Sequence, residues 1–388
     1  MRPGPADDAS PTIHWVEGEE AFQARWRSHG DAPPPVRVVI ADGKISGDEA
    51  YGLAGQGTAL LWRGDFHEAR QLLAALGKRA DRRRARPSAT SSSGEPGAAF
   101  HLYRQARSQR ARTLNALLIP LDDDYSIPLR RAPDIRQACE EAWGPAQGRS
   151  VAPLRALLGV IGAHEWRTTG IEIPEAGGRI HPHFGVFAPV RREYVDLVSA
   201  TELPATCVSS SVAFDIGTGT GVLAAVLARR GIQRVVATDT EPRALACARE
   251  NIQRLGLAGR VEVVEADLFP AGRAAVVVCN PPWVPARPGS PMENGIYDPE
   301  SRMLRGFLAQ LPSHLEPGGE GWLILSDLAE HLQLRTRAQL LELFESAGLH
   351  VVGRNEVPPR HPKAADASDP LHAARAAEIT SLWRLAAR

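Results

Sequence analysis

From about His181 onward, short β-branched runs alternate with helix-sized segments, and few patterns restrict a chain more. VAFDI (212–216), RVVAT (234–238), VEVVE (261–265), AAVVVC (274–279) and GWLILS (321–326) are strand-length, and the stretches between them have room for crossover helices. Parallel strands need such crossovers, and a strand covered on both faces reads as an unbroken apolar run. The expected architecture is α/β, a doubly wound and mainly parallel twisted sheet. Two last runs, LHVVGRN (349–355) and ITSLWRL (379–385), lack an obvious long crossover helix and are expected to form an antiparallel C-terminal edge pair.

A chain of 388 residues has room for about two domains. Residues 1–12 read as a disordered tail. Residues 13–180 read as a separate α+β N-terminal domain, with a strand at VRVVIA (36–41) and a helix at FHEARQLLAALGKR (66–79). In that helix Phe66, Ala69, Leu72, Leu73 and Leu76 recur at spacings of three and four. A second strand is expected in LNALLIPL (114–121) and a second helix in DIRQACEEAW (134–143). Between them RADRRRARPSATSSSGEPGAA (79–99) has no hydrophobic period and reads as a flexible linker.

Net charge is zero, so nothing global points to nucleic acid or to a membrane. Residues 76–115 nevertheless hold 10 basic against 2 acidic residues, and Arg104, Arg107 and Arg110 recur every third position. That stripe suits either phosphate contacts or a solvated helix face. Cys139, Cys207, Cys247 and Cys279 fit neither a disulfide framework nor a zinc site, which implies a reducing compartment. No run approaches the ~18 apolar residues of a membrane span. A cytoplasmic location is expected.

The first strand of the C-terminal region, Val212–Ile216, turns through Gly217, Thr218, Gly219 and Gly221 into a helix. Glycine lets a ligand approach the backbone closely, and a helix N-terminus behind such a loop attracts negative charge. The spacing is G-x-G-x-G, whereas the dinucleotide fingerprint is G-x-G-x-x-G. Asp215 stands directly before the loop, where it would repel a pyrophosphate and suit a cationic ligand; capping the turn is its other reading. About 24 residues on, Asp239 ends the second strand, placed to accept from ribose hydroxyls. Thr240 is expected to cap the next helix, with Pro242 in its first turn and Leu245, Ala248, Ile252 and Leu255 as its apolar stripe. Asp267, at the end of the third strand, is placed for an adenine amine or is a plain surface turn.

Together DIGTGTG (215–221), ATD (237–239), EADLF (265–269) and NPPW (280–283) resemble the class I S-adenosylmethionine-dependent methyltransferases, over about residues 181–388. NPPW resembles the (Asn/Asp/Ser)-Pro-Pro-(Tyr/Phe/Trp) motif of the branch that methylates planar nitrogens. That branch holds N6-adenine, guanine-N2 ribosomal RNA and release-factor glutamine methyltransferases. GVFAPVRREYVDLV (185–198) is similar to the segment before the first motif in the last two groups. The resemblance implies a Rossmann-like fold and S-adenosyl-L-methionine as cofactor. It implies cofactor contacts from Asp215, Gly217, Thr218, Gly219, Gly221, Asp239, Asp267, Leu268 and Asn280.

It also implies catalytic roles for Asn280, Pro281, Pro282 and Trp283. An amide or aromatic amine is a poor nucleophile, because its lone pair is delocalised. Asn280 Oδ1 and the Pro281 carbonyl can each accept one N–H of the target and direct the lone pair at the methyl donor. The prolines hold that geometry, and Trp283 offers a flat face for stacking. Tyr297 and Asp298, in ENGIYDPESRMLRGFL (293–308), stand in an expected substrate-side loop and read as pocket, core or cap residues. His181 and His183 lack the further ligands a metal needs.

The expected activity is methyl transfer to a planar nitrogen of a macromolecule, an RNA base or a protein glutamine. The ~180 residues ahead of the catalytic region exceed what a small substrate needs, and read as a substrate-recognition or lid domain. Two alternatives stand beside it: a biosynthetic enzyme acting on a small molecule, and a non-catalytic S-adenosylmethionine-binding module. Nothing in the sequence fixes an oligomeric state.

Overall fold

The computed structural model describes residues 11–28, 30, 32–84, 96–208, 211–288, 293, 295–360 and 362–388. The described residues form two compact units: those up to residue 84 with 102–165, and 96–101 with those from 166 onward. The boundary expected at 180/181 lies inside the second unit. Ile173, Ala176 and Ile180 are fully buried in that unit's core, which is why the chain joins it earlier. Residues 1–10 of the expected tail and 85–95 of the expected linker lie outside the described residues, while Thr12 already pairs in a strand.

The first unit carries a six-stranded mixed sheet. Its strands are β1 (Thr12–Glu17), β2 (Glu20–Trp26), β3 (Arg37–Ala41), β4 (Thr58–Trp62), β5 (Leu117–Leu121) and β6 (Ser150–Pro153), in the order β1-β2-β6-β5-β4-β3. Helices α1 (Gly47–Gly55), α2 (Phe66–Arg84) and α4 (Arg136–Trp143) accompany it, while α3 (Pro96–Asn115) and α5 (Leu154–Thr169) are shared, residues 102–115 and 154–165 counting with the first unit and the rest of each helix with the second. β4 and β5 are buried at every position, so they read as plain apolar runs. The ends of the expected linker are helical: α2 continues to Arg84 and α3 starts at Pro96. Lys and Arg are good helix formers, so a basic run did not have to end α2. Leu114 and Asn115 end α3, so the strand expected from 114 starts at Leu117.

The second unit holds a small hairpin, β7 (Ile171–Ile173) with β8 (Gly178–Ile180), and a seven-stranded sheet. The sheet consists of β9 (Val212–Ile216), β10 (Arg234–Asp239), β11 (Val261–Glu265), β12 (Ala274–Cys279), β13 (Leu315–Ser326), β14 (Leu349–Val357) and β15 (Thr380–Ala387), in the order β11-β10-β9-β12-β13-β15-β14. Its helices are α6 (Glu193–Ala200), α7 (Val222–Arg229), α8 (Pro242–Arg254), α9 (Arg302–His314), α10 (Leu328–His331), α11 (Arg337–Ser346), α12 (Pro362–Ala365) and α13 (His372–Ala377).

Strands β9 to β13 are parallel. β15 runs antiparallel to both β13 and β14, so the terminal pair is antiparallel as expected and β15 alone reverses the sheet. Two clusters cover the faces. On one side α7 buries Val222–Ala228 without a break; on the other, Leu304, Phe307, Leu308 and Leu311 of α9 pack with Phe344 and Trp383. β12 lies between them with all six residues at 0 % exposure, the apolar run that makes AAVVVC legible. This is a Rossmann-like doubly wound fold.

Candidate active site

Sheet register decides which side chains meet. Ile216 of β9 stands level with Thr238 of β10 and Cys279 of β12, and Asp239 stands level with Glu265 of β11. The glycine loop, Asp239, the turn at Asp267 and Asn280 therefore all leave the sheet along one edge. The order β10-β9-β12 also reverses direction between β9 and β12, the switch point where doubly wound sheets open a crevice at their carboxyl ends.

Asp215 anchors the glycine loop. It is 2 % exposed, and its Oδ2 accepts from the Thr218 hydroxyl at 2.6 Å and from the Ala224 amide at 3.0 Å in the first turn of α7. Burial raises its pKa to about 6, opposed by those two hydrogen bonds and reinforced by the charge of Asp239. The turn role open in the sequence is thus realised, and the carboxylate still lies beneath the loop. Thr218 N–H bonds the Thr238 carbonyl at 2.8 Å, tying the loop to β10. Gly219 has φ +55°, and a Cβ there would meet nothing within 4 Å, so the loop faces open space. At Gly221, with φ +81°, a Cβ would instead crowd Ala248 of α8 at 3.3 Å. Gly217 faces Met303 of α9 in the same way.

Asp239 reaches back to the loop. Its Oδ2 accepts from Gly219 N–H at 2.9 Å, and its Oδ1 from Glu241 N–H at 3.0 Å. Each carboxylate oxygen keeps a second lone pair, so both ribose hydroxyls can still be received. Thr240 does not cap α8: Glu241 holds the N-cap position without a side-chain bond, and Asp239 serves that turn instead. Asp267 is exposed at the edge. Leu268 adopts φ +71°, its carbonyl accepts from Thr238 Oγ1 at 2.6 Å, and its side chain packs among Phe269 and Met303. Its side chain is half-buried against the α9 side of the core, and its carbonyl is tied to β10. Open space over Gly219, an unspent pair of acceptors on Asp239 and a buried carboxylate below suit a nucleoside carrying positive charge. The residues fit S-adenosylmethionine.

The NPPW turn is held by contacts that the sequence reading did not foresee. Trp283 Nε1–H donates to Asn280 Oδ1 at 2.9 Å, and the Arg191 guanidinium lies over the indole, 4.9 Å from its centroid. The ring packs against both core clusters. One face of the indole thus carries Arg191, and the indole N–H orients the asparagine amide. Asn280 Oδ1 retains a second lone pair for an incoming N–H. Arg191 is tethered in turn. Its Nη2 reaches Glu378 Oε1 at 3.1 Å, and Glu378, fully buried ahead of β15, also accepts from Ser326 Oγ at 2.7 Å. The motif is held from three directions, by α6's approach, by β13 and by β15.

Sequence reading missed Arg191, Glu378, Ser326 and Asn251. Asn251 of α8 is fully buried, donates to the Thr220 carbonyl at 3.0 Å and accepts from His181 N–H at 2.8 Å, pinning the glycine loop to the exit of β8. His183 Nε2 meets Glu250 Oε2 at 2.7 Å. Burial would raise the Glu250 pKa, but Arg254, His183 and Arg167 together bring it down to about 2. Among the described residues no group of three His, Cys, Asp or Glu could hold a metal. Asp298 caps α9, accepting from Met303 and Leu304 N–H at 3.0 and 3.1 Å, and Tyr297 is buried. The basic stripe on α3 is not free: Arg110 pairs with Asp81 at 2.8 Å, and Arg104 and Arg107 also have partners.

Residues 177–352 match the methyltransferase small domain family. Over 146 residues the chain is 37 % identical to a release factor glutamine methyltransferase of Cereibacter sphaeroides, covering 36 % of this chain and 49 % of that protein. It is 37 % identical to a ribosomal protein L11 methyltransferase of Pelotomaculum thermopropionicum, covering 37 % and 39 %. With a ribosomal RNA small subunit methyltransferase C of Alcanivorax borkumensis it shares 30 % identity, covering 34 % and 40 %. The chain thus spans less than half the length of each of these relatives. Residues 177–352, with their glycine loop, acidic second strand and parallel sheet, thus match the methyltransferase small domain, on the class I S-adenosylmethionine-dependent methyltransferase fold.

Proposed function

We propose that this protein transfers a methyl group from S-adenosylmethionine to a planar nitrogen of a macromolecule, an RNA base or a protein glutamine. One observation carries the reading: Asn280 and Pro281 leave β12 beside the glycine loop of β9, with the asparagine amide already oriented by Trp283. A site that only bound the cofactor would not need an oriented acceptor amide there. The relatives named above, two acting on proteins and one on RNA, support a macromolecular acceptor.

The cofactor supplies an electrophilic methyl on a sulfonium. The chain's own work is to orient the nitrogen. Asn280 Oδ1 and the Pro281 carbonyl each accept one N–H of the acceptor, so its lone pair faces the crevice. Pro281 and Pro282 hold these acceptors in place without reorganisation. As positive charge grows on the nitrogen its N–H groups become better donors, so both bonds strengthen in the transition state. No side chain need remove the proton, because the methylated product loses it readily to water. We assign acceptor recognition to the N-terminal unit and a cytoplasmic setting to the whole. Among the described residues no helix is long and apolar enough to cross a membrane.

The test is transfer of labelled methyl by the purified protein into a lysate from cells lacking its gene, separated into RNA, protein and small molecules. Label in RNA or protein is expected. Label confined to small molecules overturns the macromolecular reading, and no label in any fraction overturns the catalytic one.

A further inference from the structure

Beside the NPPW turn lies a second feature that the methyl-transfer machinery does not use. A groove of about 620 Å³ runs from Pro285, two residues past Trp283, along Glu300, Ser301 and Arg305 at the start of α9 to Gln339 and Glu342 of α11. Arg335 lines it. This arginine is only 7 % exposed, and its Nε and Nη2 have no hydrogen-bond partner among the described residues. The two carboxylates whose charge reaches it are committed elsewhere. Glu330 holds Arg337 at 2.8 and 3.0 Å, and Asp298 caps α9.

A guanidinium cannot shed its proton, so burial cannot neutralise it as it would a lysine or histidine. A buried charge without a partner is strongly disfavoured, so it calls for a physical explanation, and a bound anion supplies one. The rim supports a binding role: Glu300 and Ser301 both hold positive φ, 57° and 54°, a conformation that L side chains seldom adopt in sequence. Sequence reading placed this segment on the substrate side.

We propose that this groove is an anion subsite in which Arg335 binds a carboxylate of the methyl acceptor, on a polypeptide. Nε and Nη2 are closed to solvent, so a carboxylate in the groove meets the guanidinium through Nη1, in a charge-assisted hydrogen bond. The lining balances Arg305 and Arg335 against Glu300 and Glu342, among Ser301, Gln339 and Leu343. A nucleic-acid backbone repeats its charges and is held by clusters of cations, so the two glutamates oppose it. The subsite itself stands on Arg335; only its ligand's identity as the acceptor rests on the proposed methyl transfer.

The test uses the full chain and two probes, N-acetylglutamic acid α-amide and inorganic phosphate, with N-acetylglutamine amide as the neutral control. The Arg335 Nε–H resonance, assigned by its loss in Arg335→Lys, reports binding. Saturable shifts are expected with the glutamate probe and none with the neutral control. Arg335→Gln should weaken glutamate binding by about tenfold or more, read by calorimetry, while leaving S-adenosylmethionine affinity unchanged. Arg335→Gln and Arg335→Leu should melt no lower than wild type, since each removes an unpaired buried charge. Equal binding of the neutral control, undiminished binding in Arg335→Gln, or a lower melting temperature in both variants overturns the subsite. Tighter binding of phosphate than of the glutamate probe overturns the polypeptide assignment in favour of RNA. Carboxylate binding in a protein that methylates no lysate fraction refutes the enzymatic reading and leaves the subsite standing.

Discussion

Trp283→Phe deletes one hydrogen bond, the 2.9 Å contact from the indole N–H to Asn280 Oδ1, and leaves an aromatic ring beneath Arg191. A net neutral hydrogen bond is worth about 0.5–1.5 kcal/mol. Phe is also the weaker partner for a guanidinium 4.9 Å away, a loss of about 0.5 kcal/mol at a half-buried site. Stability should therefore fall by about 1–2 kcal/mol, read as a lower urea midpoint with an unchanged slope. The effect on rate follows from the amide. Freed from the indole, Asn280 populates its productive orientation less; a bias of about 1 kcal/mol lost is about a fivefold fall in single-turnover rate, with cofactor affinity unaltered. Pairing it with Asn280→Ala in a double-mutant cycle should show strong coupling, because the indole acts only through the amide. A Trp283→Phe enzyme with wild-type turnover would refute the orienting role. A loss of a hundredfold or more, without loss of stability, would mean that the ring touches the acceptor directly.

Three further outcomes are expected. The folded pKa of Asp215, about 6, lies above its ordinary 3.8, so its contribution to stability is full below 3.8 and is lost as pH rises through about 6, a span worth about 3 kcal/mol. Only the ionised form favours a cationic ligand, so cofactor affinity should fall as pH drops below about 6; calorimetry on Asp215→Asn should find that slope flattened, and an identical slope would exclude this group. Glu378→Ala strands Arg191, whose side chain is 21 % exposed, and should cost about 3 kcal/mol; adding Arg191→Met should recover part of it in chemical denaturation, and no recovery would deny the pairing. Gly219→Ala imposes a left-handed conformation on alanine at about 1 kcal/mol and sets a methyl in the space the loop faces, so the variant should fold yet bind S-adenosylmethionine far more weakly; intact affinity would move the ligand elsewhere.

What the sequence disclosed follows from the periodicity of burial. β12 is buried on both faces and therefore spells its own strand, and the loop after β9 needs glycines at positive φ, so AAVVVC and GTGTG could be read directly. The pairings that hold the site could not. Arg191 and Glu378 are 187 residues apart, and neither shows its partner in its local pattern. Trp283 was legible as an aromatic, but whether its edge or its face does the work depends on what Arg191 covers. Arg335 stands in an ordinary polar stretch, LQLRTRAQ (332–339), and only the folded surroundings reveal that its partners are taken. The missed extension of α2 has the same origin: charge marks solvent exposure, and an exposed segment is as readily helix as loop.

The central claim is that the Asn280 amide orients the methyl acceptor and does little for the cofactor. Its most direct measurement pairs calorimetric S-adenosylmethionine binding with labelled-methyl transfer for Asn280→Ala, using whichever lysate fraction the wild type labels. The expected result is cofactor affinity within a few-fold of wild type and transfer reduced by about 10²–10³, the loss typical of one preorganised acceptor or donor at a reacting centre. Transfer that survives within a few-fold, or a cofactor affinity that collapses along with it, would contradict the account.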